Sequence, residues 1–359
     1  RRRASRMRIG VDSTKFPGAA DLTAAAIVER AAELGLEGVF FRSVLELSPT
    51  LDVGRMRATV DRARELGLHV EAGIGKVNPF STPEAPRIRA LGGGDYLRAL
   101  TMMIEAAAAA GVHEVWSALC NFQFDLAGTR LYAFDRFRTD VDWSEQLAAT
   151  TAFLRRLAPV LRAQGSHVNV ETHEEITSFE LVRMVEEVGP DAMGITFDTA
   201  NVVVRGESVS AAARRVAPYV RSTHVRDVAL IRMPGGLVRY LLPVGDGIVD
   251  WPAVLSALSP ADPMLSIEGI ISSRAGMPVP LFDGRWAAGH PDEVPAERDE
   301  LLRLADAYED RARRGEALDA AALRGPVPKD EPREFVVRSA AALRALRSAS
   351  VPEKVEESK

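Results

Sequence analysis

Residues 167–226 read HVNVETHEEITSFELVRMVEEVGPDAMGITFDTANVVVRGESVSAAARRVAPYVRSTHVR. Three short runs rich in β-branched residues, His167–Glu171, Met193–Asp198 and Val220–Arg226, alternate with two amphipathic runs, Ser178–Val188 and Val209–Val216. The order is strand, helix, strand, helix, strand. Such alternation implies a parallel sheet with right-handed crossovers, because parallel neighbours cannot be joined by a tight turn.

The same rhythm continues outward. Toward the N-terminus the strands are Met7–Asp12, Gly38–Arg42, His69–Gly73 and Glu114–Leu119, and the helices Leu22–Leu34, Val53–Leu66, Tyr96–Ala110 and Trp143–Gln164. Asp21 is the expected N-cap of the first helix, with Gly35 as its C-cap, and Gly67, Gly111 and Gly165 stop the others. Toward the C-terminus come a helix at Trp251–Leu258, a strand at Met264–Glu268 and a helix at Ala296–Arg314. Eight strands, each followed by a helix, predict an α/β protein: a (β/α)8 TIM barrel with a helical C-terminal extension. No GxGxxG follows the first strand, which weighs against a dinucleotide-binding sheet. The segment ALIRMPGGLVRYLL (229–242) reads as two short strands around Pro234-Gly235-Gly236.

The chain has 359 residues, which suits one barrel with additions. Residues 1–6 read as a disordered leader, with Met7 the natural start, 7–315 as the barrel, and 316–359 as an extension. That extension carries one helix, Glu334–Leu346, and a frayed tail. The apolar stripe Phe335, Val336, Ala340, Leu343 and Leu346 is expected to pack on the barrel.

Composition excludes several function classes. The net charge of −5 gives no electrostatic case for nucleic-acid binding. The single cysteine, Cys120, excludes an intrachain disulfide and a cysteine-based zinc cluster. No apolar run is long enough for a membrane span, and the basic start lacks the apolar segment of an export signal. The expected setting is the cytoplasm.

Catalytic groups of such barrels sit at the C-terminal ends of strands. Strand five ends in Glu171, strand six in Asp198 and strand eight in Glu268, while strand seven carries His224. Acidic residues are disfavoured in strands, yet three stand at the ends of strands five, six and eight, with an imidazole on strand seven between them. Oxygen-rich ligation with one histidine suits Mn²⁺, Mg²⁺ or Co²⁺ better than a closed zinc site.

The runs VETHEE (170–175), FDTAN (197–201), STHVRD (222–227), PVGDGIVDW (243–251) and SIEG (266–269) resemble the xylose isomerase-like barrel superfamily. It includes sugar isomerases, sugar 3-epimerases, inosose dehydratases, hydroxypyruvate isomerases and endonuclease IV-type repair enzymes. The resemblance covers roughly residues 7–270. It implies that Glu171, Asp198, His224 and Glu268 hold one divalent metal, Mn²⁺ ahead of Mg²⁺ or Co²⁺. It also implies that Glu171 and Glu268 form the acid/base pair of an enediolate mechanism.

His173, two residues past Glu171, is a further catalytic candidate, and Lys76, Arg226, Asn201 and Trp116 are candidate substrate contacts. Asn121, Phe122 and Phe124 are candidate pocket walls. Asn201 stands where the ketose 3-epimerases carry histidine. The activity so implied is isomerisation or epimerisation of a sugar, keto-sugar or sugar acid. The alternative is a lyase: a dehydratase, a decarboxylase or the catalytic subunit of a C-glycoside deglycosidase. An endonuclease IV-type activity is opposed by the acidic balance and by only six histidines. A homo-oligomer or a small partner subunit is expected by resemblance alone.

Overall fold

The computed structural model describes residues 7–16, 18–121, 136 and 140–349. The expected leader 1–6, the tail from 350 onward, and Phe122 and Phe124 lie outside the described residues.

Eleven strands are present among the described residues. In chain order they are Ile9–Asp12 (β1), Gly38–Phe41 (β2), His69–Gly73 (β3), Glu114–Ser117 (β4), His167–Glu171 (β5), Met193–Asp198 (β6), Val220–Val225 (β7), Asp227–Met233 (β8), Gly236–Leu242 (β9), Leu265–Ile267 (β10) and Met277–Val279 (β11). Eight of them close into one parallel barrel in the order β1-β10-β7-β6-β5-β4-β3-β2. The remaining three form a separate antiparallel sheet, β11-β9-β8. The chain is thus a (β/α)8 TIM barrel, as its alternation of runs implies.

The barrel strands are buried on both faces, which is why they read as short, nearly continuous apolar runs. Their outer face packs against the helix ring. Inside, Phe40, Trp116, Ala118 and Met264 form a small apolar plug. Met264 has room there because β1 and β2 contribute glycines. A Cβ at Gly10 or Gly38 would stand 2.5 or 2.3 Å from the Met264 sulfur.

Several helix boundaries shift from expectation. The first helix spans Ala24–Glu33, and its N-cap is Thr23, not Asp21; the Thr23 hydroxyl accepts from the Ala26 N–H. Asp21 instead closes a short 3-10 turn, Ala19–Asp21. Thr23→Ala should therefore cost about 1 kcal/mol in urea unfolding, and Asp21→Ala under about 0.5 kcal/mol; the reverse ranking would refute the cap assignment. The proline-rich loop after β3 contains a 3-10 helix at Pro79–Glu84 and a helix at Pro86–Leu91. β4 stops at Ser117, not Leu119, because the carbonyls of Ala118 and Leu119 accept from Val77 and Asn78 of that loop. β11 went unread in the sequence: three residues around Pro278 carry no alternation to find, and only the edge of β9 makes them a strand.

The C-terminal helix Glu331–Ala349 lies against β1 and β10, the seam where the barrel closes. It buries Phe335, Val336, Ala340 and Leu343, so the apolar stripe does face the barrel. Arg347 donates to the Met7 carbonyl at 3.1 Å and pairs with Glu37 at 2.6 Å, and Arg344 donates to the Gly35 carbonyl at 2.8 Å. The helix Pro295–Arg313 packs instead on β8 of the small sheet.

Ahead of the helix Pro295–Arg313, His290 lies buried, its ring stacked 3.6 Å from that of Trp286. Burial, helped by the nearby cations Arg205 and Arg136, pushes its pKa down to about 2. The folded protein holds this imidazole neutral, so unfolding below the ordinary value of 6.5 takes up a proton. Its stabilising effect is complete above that value and is lost on acidification at about 1.4 kcal/mol per pH unit. Urea midpoints at pH 7 and pH 5 should converge in His290→Asn relative to wild type. An unchanged pH dependence in the variant would remove His290 as the cause.

Candidate active site

The barrel register brings the strand ends together. Asp198 on β6 lies beside His224 on β7, and His224 lies beside Ser266 on β10, two residues before Glu268. Glu171 ends β5, next to Thr196 of β6. One ligand atom from each of Glu171, Asp198, His224 and Glu268 lies within 4.8 Å of the others, and all four residues are buried. His224 Nδ1 is 3.3 Å from Glu171 Oε1 and 3.7 Å from Glu268 Oε2.

This set could hold a metal ion. Three carboxylates and one imidazole are concentrated out of water, where the charges are costly unless a cation joins them. His224 Nδ1 and Glu268 Oε2 are buried without a hydrogen-bond partner, which leaves a donor atom free on each. The other atoms are held in place. Trp116 Nε1 donates to Glu171 Oε2 at 2.8 Å, and Asn201 Nδ2 donates to Glu171 Oε1 at 3.2 Å. The backbone N–H groups of Ala200 and Asn201 donate to Asp198 Oδ1 at 2.7 and 3.1 Å. Two guanidinium groups brace Glu268: Arg42 pairs with Oε1, and Arg226 approaches Oε2 at 3.1 Å while also pairing with Asp198.

The electrostatics follow from these neighbours. Burial works against the charge of Glu171, yet His224 holds its carboxyl down to about 2. Burial likewise opposes the charge of Glu268, but Arg226 and Arg42 hold it well below the carboxylate range. Burial pushes Asp198 up to about 7 against the pull of Arg226.

Two of the four, Glu171 and Glu268, line a cavity of about 550 Å³, with Asp198 and His224 buried behind them. The other described residues singled out in the sequence as catalytic or substrate contacts line it too: His173, Lys76, Arg226, Asn201, Trp116 and Asn121. His173 is ion-paired to Glu175 and lies 3.1 Å from Glu174. Burial disfavours its charge, but Glu174 and Glu175 lift it to about 10, so it is an imidazolium at neutral pH. Lys76 Nζ sits 4.0 Å from the centroid of the Trp116 ring. Arg226 pairs with rim carboxylates, not with its neighbour Asp227, whose carboxylate accepts from Trp251 and the 244–249 loop. Two basic lining residues, Lys15 and Arg42, escaped the sequence reading, as did the wall formed by Leu241, residues 270–273 and Ala275. Arg42 closes the run GVFFR, and a search for polar strand ends carried through the first three strands finds it.

Comparison with known proteins agrees with this architecture. The family model described as xylose isomerase-like TIM barrel matches residues 28–306. The uncharacterized protein YihM of Escherichia coli K12 is 31% identical over 94 residues, 26% of this chain and 29% of that one. A 3-oxo-isoapionate decarboxylase of Pectobacterium atrosepticum is 25% identical over 111 residues, 30% of this chain and 40% of that one. The chain spans well under half the length of these two curated relatives. D-psicose 3-epimerase of Clostridium cellulolyticum H10 superposes with a TM-score of 0.54 at 17% identity, covering 87% of this chain and 100% of that one. That likeness is one of fold. With a closed eight-stranded barrel and a family match over most of its length, the chain belongs to the xylose isomerase-like TIM barrel family.

Proposed function

We propose that this protein is a divalent-metal-dependent isomerase or epimerase of a sugar, keto-sugar or sugar acid, working by proton abstraction next to a carbonyl. The observation that carries the reading is the pair Glu171 and Glu268, two carboxylates on either side of His224 at the floor of one cavity. Glu171, Asp198, His224 and Glu268 would hold the ion, Mn²⁺ ahead of Mg²⁺ or Co²⁺. When bound, such an ion supplies Lewis-acid polarisation of a substrate oxygen.

The chain's own residues do the rest. Glu171 is kept ionised and is fixed by Trp116 and Asn201, so it is poised to accept a proton from the substrate carbon. Glu268 is braced by Arg42 at Oε1, and its Oε2, 3.1 Å from Arg226 but without a hydrogen-bond partner, handles a proton on the other side. His173, charged and held at both ring nitrogens by Glu174 and Glu175, sets a positive charge at the cavity wall. Lys76, Arg226, Asn201 and Trp116 frame the substrate, and the plug beneath them keeps water from below.

A second reading is favoured by the partial similarity to a decarboxylase: the same enediolate would form by loss of CO₂ and then take up a proton, or, formed by proton abstraction, would expel water or an aglycone from the adjacent carbon. Incubating the Mn²⁺-loaded protein with keto-sugars and sugar acids in D₂O separates the two. Deuterium incorporation with the carbon skeleton intact supports isomerisation or epimerisation. Loss of CO₂, water or an aglycone supports the lyase. No exchange with any candidate sinks proton abstraction itself.

A further inference from the structure

The rim of the barrel is divided by charge. β5, β6, β7 and β10 present the three carboxylates and the imidazole. The other side is basic: Lys15 follows β1, Arg42 follows β2 and Lys76 follows β3, and all three line the same cavity. Arg42 is engaged, its Nε donating to Asp12 at 2.8 Å and its other arm pairing with Glu268. The lysines are not. Among the described residues neither ammonium makes a hydrogen bond or an ion pair; Lys76 has only the face of Trp116. Both are half-buried, and burial pulls both below the ordinary lysine range, Lys76 to about 8. Glu268 near Lys15 and Glu171 near Lys76 oppose that pull without pairing with either ammonium, so each keeps a desolvation cost that an anion in contact reduces.

Composition sharpens the point. The chain has 45 basic residues, yet lysine occurs only at positions 15, 76, 329, 354 and 359. Everywhere else the basic residue is arginine, and two of these rare lysines share one cavity. A lysine there offers a compact charge with three rotatable donors instead of a broad planar fork, which suits an anion arriving in a closed space.

We propose that Lys15, Arg42 and Lys76 form an oxyanion subsite and that the substrate is an anionic sugar derivative, its charged end on this wall and its reacting carbon toward Glu171 and Glu268. This rests on the reading of the site given above. A carboxylate and a phosphate share the required chemistry, and D-fructose, D-fructuronate and D-fructose 6-phosphate form a series that differs only at C6.

Calorimetric titration of the full-length, Mn²⁺-loaded protein with these three probes tests the subsite. At least one anion should bind roughly ten- to hundredfold more tightly than D-fructose, the value of one charge-assisted contact. Preference for the uronate alone assigns a carboxylate, and preference for the phosphate alone assigns a phosphate. Lys15→Met and Lys76→Met should each shrink the anion-to-fructose ratio, whereas Lys76→Arg, which keeps the charge, should preserve most of it. Equal binding of all three probes, no binding of either anion at millimolar concentration, or a ratio that survives both methionine variants overturns the proposal. Solvent-deuterium exchange on the same samples keeps the two readings apart. Anion preference without exchange counts against proton abstraction and not the subsite; exchange on D-fructose without anion preference does the reverse.

Discussion

Glu268→Gln is expected to lower kcat by about 10²- to 10⁴-fold, the usual contribution of a positioned acid/base group, and to weaken Mn²⁺ binding. The amide is nearly isosteric, but it keeps one carbonyl oxygen, so one of Arg42 and Arg226 would face its N–H₂. What also disappears is the charge and the ability to carry a proton at Oε2, which lies 3.1 Å from Arg226 but has no hydrogen-bond partner in the buried site. Metal content by mass spectrometry separates the two losses: saturating Mn²⁺ should restore occupancy before it restores turnover. Full activity with metal bound would exclude Glu268 as a proton carrier. Glu171→Gln should behave alike, because Trp116 and Asn201 both donate to that carboxylate and one of them would then face an amide N–H₂.

Asp227→Ala carries the largest expected effect on stability, about 3–5 kcal/mol. Asp227 is fully buried and accepts from the N–H groups of Val228, Gly245 and Val249 and from Trp251 Nε1. Truncation strands several buried donors at once, each costing about 1–3 kcal/mol. The loop 243–250 and the helix Trp251–Leu258 hang on this one carboxylate. Urea unfolding followed by circular dichroism should show the drop. A loss below about 1 kcal/mol would mean that the loop is held by its own packing. Asp227→Asn is the control: it keeps an acceptor but sets an N–H₂ against backbone donors, and should fall between wild type and alanine.

The second half of the barrel was legible almost to the residue. His167–Glu171, Ser178–Val188, Met193–Asp198 and Val209–Val216 match because short β-branched runs and capped amphipathic runs are local signals. The four candidate ligands were legible for a related reason: an acid at a strand end conflicts with strand propensity and so stands out. Lys15 and Arg42 did not stand out, because a basic residue past a strand looks like any solvated loop charge until the barrel closes around it. Thr23 in place of Asp21 is the same kind of miss, since both are good caps and the choice depends on where the chain turns. β11 exists only through its partner, so no window of its own sequence could disclose it.

The helix on the barrel seam ties together stretches that are far apart in the chain. Arg347 meets Glu37 across 310 residues of chain, and Phe335 and Leu343 cover β1 and β10. On a ribosome β1 must therefore wait for the seven barrel strands that follow it, and for residues 331–349, before its outer face is sheltered. Such long-range closure is slow, and the waiting surface is sticky. A chain interrupted before residue 331 would keep that surface bare, so this helix marks the closure of the barrel: holdase chaperones should bind chains that lack it and release those that have it.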